Sequence, residues 1–135
     1  STLSNLMLLQ TQVQNAFANG KQLDTIYLDF SKAFDTVDHA LLLKKISALG
    51  FDNISIRWLS SYLSERRLAV KFAGSISSEF ISLSGVPQGS IIGPYLFALF
   101  TNDFPLNINS DCLLFADDVK LYSQITHVAD CESLQ

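Results

Sequence analysis

Charge is scarce in this chain of 135 residues: 16% are Asp, Glu, Lys or Arg, whereas 48% are hydrophobic. That balance excludes an intrinsically disordered segment, which needs many charges and few apolar side chains. Positive charge is scarcer still, with 9 Lys and Arg against 13 Asp and Glu. A formal net charge of −4 is opposite in sign to the usual footprint of a nucleic-acid binder. It does not exclude one, because acids gathered around a metal lower the total and basic surface can lie on other segments. Cysteine is nearly absent. Cys112 and Cys131 have no metal-ligand spacing, and reduced thiols in an intracellular protein are the expectation. Long apolar runs are missing too: the longest, 91–100, contains Gly93 and Pro94 and is too short to span a bilayer. No basic stretch leads into an apolar core and cleavage site, so secretion has no support. No repeat, low-complexity tract or linker interrupts the chain, and one domain is the economical organisation.

What the chain does have is apolar periodicity. Leu3, Leu6, Leu9, Val13 and Phe17 recur at helical spacing up to Asn19-Gly20, with Asn and Gln on the outer face. The run 25–30 reads as a short central strand ending in Asp29, followed by a turn or short helical segment over 31–35. Asp38 is placed to cap a helix over 39–49 whose inner stripe is Leu42, Ile46 and Leu49, closed by Gly50. A helix over 54–64 is expected to turn Trp58, Leu59, Tyr62 and Leu63 inward. Leu68, Val70 and Phe72 alternate with Ala69 and Lys71, and Gly74-Ser75 signals the turn of a hairpin that returns to about Leu83. The segment 84–90, with Gly85, Pro87 and Gly89, is a loop delivering the chain into an apolar helix over 91–104, with Ser90 as candidate cap. Pro105 and Asn107 stop it. Residues 112–122 then read as a tight hairpin with Asp117-Asp118 at its tip. Ser1 is not Met, and 130–135 reads as a helix cut just after its N-cap, so a segment of a longer protein is expected.

Carboxylates at the ends of apolar strands need an explanation, because strands disfavour Asp. Two like charges about 4 Å apart at an effective dielectric near 20 repel by roughly 4 kcal/mol. Bringing Asp29 beside Asp117 and Asp118 adds to that repulsion, and a divalent cation reverses its sign. Oxygen-only ligands, with no His or Cys nearby, suit Mg²⁺ or Mn²⁺ rather than zinc. A pair of such ions is the standard arrangement for phosphoryl transfer. A solvated Asp-Asp turn is the simpler alternative for the pair taken alone.

Three stretches occur in order: Tyr27-Leu28-Asp29-Phe30-Ser31-Lys32-Ala33-Phe34-Asp35, then Ser84-Gly85-Val86-Pro87-Gln88-Gly89-Ser90, then Phe115-Ala116-Asp117-Asp118. Together they resemble the A, B and C motifs of reverse transcriptases, most similarly those of non-LTR (LINE-like) retrotransposons, with group II intron enzymes next. The resemblance covers roughly residues 1 to 125. It implies RNA-templated DNA synthesis, in which a primer 3′-hydroxyl attacks the α-phosphate of a dNTP. Asp29 and Asp117 match the principal metal ligands, the Phe30 carbonyl an assisting one, and Asp118 the less direct second acid.

The resemblance further implies a nucleotide-contacting set of Phe30, Lys32, Ala33, Phe34, Gln88, Gly89 and Ala116. The 30–34 backbone amides would cradle the triphosphate, although Lys32 fits a solvated turn equally. Phe34 matches the bulky ring that excludes a 2′-hydroxyl, Gln88 and Gly89 the loop against nucleotide and template, and Ala116 the small residue beside the primer end. If the tip turns on Ala116-Asp117, Ala116 is expected at positive φ. Asp35, Asp38 and His39 read as structural, while Arg66, Arg67 and Lys71 fit either a solvated strand end or a nucleic-acid contact. The fold implied is α+β, a polymerase palm: Asp29's strand beside the 112–122 hairpin, with helices 39–49 and 91–104 on the far face. The implied partners are RNA template, DNA primer, dNTP and the remaining polyprotein with its fingers, thumb and an endonuclease. No membrane is involved, and cytoplasm and nucleus are the implied locations. Residues 1–135 are then a piece of fingers and palm. The rivals are a polymerase with another template, a degenerate inactive element copy, and a non-catalytic nucleic-acid-binding module using the acids as a structural cation site.

Overall fold

A computed structural model describes residues 2–127 and 130–131. The chain divides into two compact units, one built from residues 1–31 and 103–135, the other from 32–102. The helix expected over 130–135 runs into residues outside those described.

In the first unit, helix α1 (Thr2–Ala18) leads into strand β1 (Gln22–Asp29). After a 3-10 turn over Phe104–Asn107 come β6 (Asp111–Phe115) and β7 (Asp118–Ile125). They make an antiparallel sheet of order β1-β7-β6. The expected pairing of Asp29's strand with the hairpin is therefore present. Its centrality is not: β1 is an edge strand among the described residues, and β7, one of two eight-residue strands, holds the middle by pairing along both sides. Tyr27 is 65% exposed on its face of the sheet, whereas its neighbour Ile26, on the other face, is half-buried. The pairing register sorts side chains by the period of two. One face carries Ile26, Leu28, Leu114, Val119, Leu121 and Cys112, with Val119 buried and the Cys112 thiol pushed up in pKa by burial. The other carries Asp29, Asp118, Phe115, Tyr27 and Lys120.

Helix α1 packs on this sheet, reaching β1 and β6. Of the expected stripe only Leu9 and Val13 turn inward, both half-buried. Leu3, Leu6 and Phe17 are exposed, Ala16 is buried, and the Asn5 side-chain amide donates to the Leu114 carbonyl at 2.9 Å. Leucine recurs around much of this helix, so hydrophobicity alone could not choose the face; the small Ala16 and the hydrogen-bonding Asn5 mark it.

The second unit opens with a 3-10 turn at Ala33–Asp35, then α2 (His39–Ala48) and α3 (Asn53–Leu63). Asp38 caps α2 as expected, accepting from the Leu41 amide at 2.7 Å. Asp52 caps α3 in the same way, accepting from the Ile54 and Ser55 amides, which pulls its carboxyl below the usual value. Helix α4 (Gly93–Thr101) is shorter than the expected 91–104, because the chain passes from Asn102 into the separate 3-10 turn that contains Pro105. The Ser90 hydroxyl accepts from the Gly93 amide at 3.0 Å, but the cap position expected of Ser90 is held by Ile92, two residues on, which offers no side-chain cap.

Leu42 and Ile46 of α2, Leu59 and Leu63 of α3, Leu96 and Phe97 of α4 and Val86 form the core of this unit. Truncating a fully enclosed leucine such as Leu42 costs about 2–5 kcal/mol. Two expected core residues lie outside it: Leu49 is 49% exposed and Trp58 is 58% exposed, stacked on Tyr62. Trp58 precedes Leu59 on α3, and a helix turns about 100° per residue, which here carries Trp58 off the face that buries Leu59 and Leu63. The 66–82 hairpin forms as two short ladders, β2 (Arg66–Leu68) with β5 (Phe80–Ser82) and β3 (Lys71–Phe72) with β4 (Ser75–Ile76). No helix among the described residues is long and apolar enough to cross a membrane.

Candidate active site

In the first unit, the β1 and β7 register sets Asp29 directly opposite Asp118. Directly opposed residues share a face of the sheet, with Cβ atoms about 4.5–5.5 Å apart. Asp118 in turn opposes Phe115 on β6, which leaves Ala116 and Asp117 as a two-residue connection. Ala116 has φ 53°, the left-handed conformation expected for it. A side chain in that region is strained by roughly 1–2 kcal/mol, and here it lets the chain reverse in two residues. Two pairs further along, Tyr27 opposes Lys120, whose ammonium lies 5.3 Å from the Tyr27 ring centre. Phe30 meets Phe104 edge-on at 5.8 Å.

The acids are thus delivered by backbone pairing, which holds regardless of side-chain rotamer. Asp29 and Asp118 are exposed and Asp117 is half-buried. Among the described residues, no group of three or more His, Cys, Asp and Glu side chains stands close enough to hold a metal ion. The donors available are carboxylate and backbone oxygens, a set that fits a hard divalent cation and not a thiophilic one.

In the second unit, the turn after Asp29's strand and the 84–90 loop are tied together. Lys32 has φ 51°, and its carbonyl accepts from the amides of Asp35 and Thr36. The Gly85 amide donates to the Val37 carbonyl and the Val86 amide to the Phe34 carbonyl, both at 2.8 Å. The Ser84 hydroxyl donates to the Asp35 carbonyl at 2.8 Å. A Cβ on Gly85 would lie 2.7 Å from Asp35 Cα, and Gly85 has φ 81°, so both sterics and backbone require glycine there. Phe34 is half-buried, stacked on Phe97 at 4.4 Å; Ala33 is buried, while Lys32, Gln88 and Gly89 are exposed.

Several contacts here leave no mark in the sequence. The Gly85 carbonyl accepts from Arg66 Nη2 at 2.8 Å and is 2.8 Å from His39 Nε2. Arg66 also reaches the Ser84 carbonyl and the Ser82 hydroxyl. Its guanidinium therefore serves the loop backbone, whereas Arg67 pairs with Glu79 at 3.5 Å on the surface. The Gln88 amide donates to the Asp35 carboxylate at 2.9 Å. The partners in these contacts are 19, 46 and 53 residues apart. Asp35 and His39 read locally as turn and helix-end residues.

The Asp29–Asp118 strand pair and the strained Ala116-Asp117 turn between β6 and β7, in the first unit, and the glycine-dependent loop, in the second, are the structural settings of the three sequence motifs. The reverse transcriptase (RNA-dependent DNA polymerase) family matches residues 2–133, and the chain belongs to that family, in its non-LTR retrotransposon branch. It is 36% identical over 137 residues to a probable RNA-directed DNA polymerase from transposon X-element of Drosophila melanogaster, covering 97% of this chain and 14% of that protein. It is 33% identical over 113 residues to the RNA-directed DNA polymerase from mobile element jockey of Drosophila funebris, covering 77% and 12%. With a Pol polyprotein from type-1 retrotransposable element R2 of Popillia japonica it shares 26% over 133 residues, covering 89% and 22%. The chain thus spans less than a quarter of the length of each.

Proposed function

We propose that this chain carries the catalytic carboxylates and part of the nucleotide site of an RNA-templated DNA polymerase that serves retrotransposition. The observation that supports the reading best is the pairing of Asp29 with Asp118 beside the left-handed Ala116. A solvated turn has no need of an acid on the opposite strand, nor of a strained alanine where glycine would be relaxed.

In this reading Asp29 and Asp117, with the Phe30 carbonyl, would hold two Mg²⁺ or Mn²⁺ ions, and Asp118, opposite Asp29, would support them. When bound, such ions neutralise charge on the phosphates and favour the deprotonated primer hydroxyl. The chain's own residues position the reactants. Amides from Phe30 through Lys32 and Ala33 to Phe34 receive the triphosphate, and the Phe34 ring, braced on Phe97, excludes a 2′-hydroxyl. Gln88 and Gly89 lie against the nucleotide and template base, and Ala116 leaves room for the primer end. The relatives are several times longer than this chain, which supports the further proposal that this is a fingers-and-palm segment. The thumb, the remaining fingers and an endonuclease would come from the same polyprotein.

The test is primer extension on an RNA template with the intact parent protein and its Asp117→Asn variant. Extension by the parent and none by the folded variant is the expected result; extension by both would end the reading.

A further inference from the structure

We propose that Asp35 is a positioning residue that orients the Gln88 side chain toward the incoming nucleotide, an inference that rests on the polymerase reading. Gln88 Nε2 donates to Asp35 Oδ1 at 2.9 Å, although the contact is solvent-exposed. An exposed hydrogen bond is ordinarily a loose constraint, because water competes for both partners. This one is different because the Asp35 backbone is tied to residues 84–86, and Gln88 lies in a turn closed by the Ser90 amide donating to the Pro87 carbonyl at 3.3 Å. The Asp35 carbonyl accepts from Ser84 Oγ, and the nearby carbonyls of Phe34 and Val37 accept from the Val86 and Gly85 amides. Gly85 packs on the Asp35 backbone, and its own carbonyl lies 2.8 Å from Arg66 Nη2 and from His39 Nε2. What remains free is the Gln88 side chain itself.

A carboxylate accepts hydrogen bonds and cannot donate. Asp35 therefore obliges Gln88 to turn an N–H toward it, which leaves Gln88 Oε1 and one N–H for other partners. An asparagine at position 35 offers either a donor or an acceptor at nearly the same volume, so the amide of Gln88 loses its enforced orientation. The substitution removes no buried group and leaves every backbone tie in place.

The experiment is steady-state primer extension by the intact parent protein, comparing wild type, Asp35→Asn, Gln88→Ala and the double variant. Wild-type extension and its loss in Asp117→Asn establish the polymerase reading separately. Given those, Asp35→Asn is expected to raise KM for dNTP about three- to tenfold with kcat little changed. In the Gln88→Ala background the same substitution is expected to change KM no further. A neutral Asp35→Asn overturns the proposal, as does an equal KM increase in both backgrounds. A loss of folded protein in Asp35→Asn alone, seen as a lowered melting temperature, places Asp35 in the scaffold and overturns it as well.

Discussion

Asp29 and Asp118 stand directly opposite one another across an antiparallel pair, and Asp117 is the turn residue just before Asp118. The pairing of acids is built into backbone register, while the third acid sits in the two-residue connection between β6 and β7. Asp118 is thus fixed by strand geometry, and Asp117 by the turn that Ala116 makes possible.

That division of labour is testable by isosteric change. Asp29→Asn and Asp117→Asn are each expected to lower extension by the parent protein at least about 10²–10³-fold, the scale of losing one preorganised charge-stabilising group. Asp118→Asn should retain measurable activity at raised Mg²⁺. Isothermal titration with Mg²⁺ checks the same order: weakest binding without Asp29 or Asp117, and a smaller loss without Asp118.

Ala116 carries a second prediction. With φ at 53°, a β-branched residue there is expected to destabilise by about 1–3 kcal/mol. Glycine relieves the strain and adds unfolded-state entropy, so Ala116→Gly should stay within about 1 kcal/mol of wild type. Urea denaturation of Ala116→Val and Ala116→Gly separates the two; equal stability would mean that the turn is not strained.

Gly85 has less freedom. A methyl group there collides with the Asp35 backbone at 2.7 Å in a conformation that favours glycine. Gly85→Ala is expected to cost roughly 2–4 kcal/mol, combining overpacking with backbone strain. Chemical denaturation reads the loss directly. By contrast a methyl group on Gly89 would meet nothing within 4 Å, so Gly89→Ala should lose stability through backbone strain alone.

The ring of Phe34 depends on Phe97, stacked at 4.4 Å. Replacing Phe34 by Val is expected to let the parent polymerase insert ribonucleotides more readily. Phe97→Ala should do so to a lesser degree, since the ring keeps its bulk and loses its brace. Competition between rNTP and dNTP in single-nucleotide extension measures both. Unchanged discrimination in Phe34→Val would remove the steric role.

Asp52 gives the pH prediction. Hydrogen bonds from the Ser55 amide and hydroxyl, and from the Ile54 amide, hold its carboxyl below the ordinary value of 3.8. The folded value is lower than the unfolded one, so the cap's contribution is complete above the unfolded value and disappears as pH falls through the folded one. Asp52→Ala should therefore lower the melting temperature at pH 7. The gap to wild type should begin to narrow near about pH 4 and close as pH falls through the lower folded value. A gap independent of pH would show that the charge is not what caps the helix.

Residues near one another in sequence can be read directly. The Asp38 cap, the Leu42 and Ile46 stripe and the hairpin turning at Ala116-Asp117 all rest on contacts within a few positions, where spacing maps onto geometry. Trp58 and the inner face of α1 escape such a reading for a common reason. An apolar side chain signals a preference for burial but not which neighbour arrives to cover it, and α1 turns Asn5 and Ala16 inward beside Leu9 and Val13 while Leu3, Leu6 and Phe17 stay exposed. The edge position of β1 is equally hidden, because an apolar run looks the same in a central strand as at an edge.

By itself the sequence determined the kind of chemistry: acids at the ends of apolar strands, a glycine loop, and an order of motifs that placed the chain in its family. Those features are properties of residue type and spacing, which need no third dimension to be seen. Only the tertiary structure decided that Asp118 is the acid facing Asp29, that Arg66 and His39 meet at the Gly85 carbonyl, and that Asp35 holds Gln88. Each of these joins positions far apart along the chain, and a hydrogen bond a few ångströms long exists only once folding has brought both of its ends together.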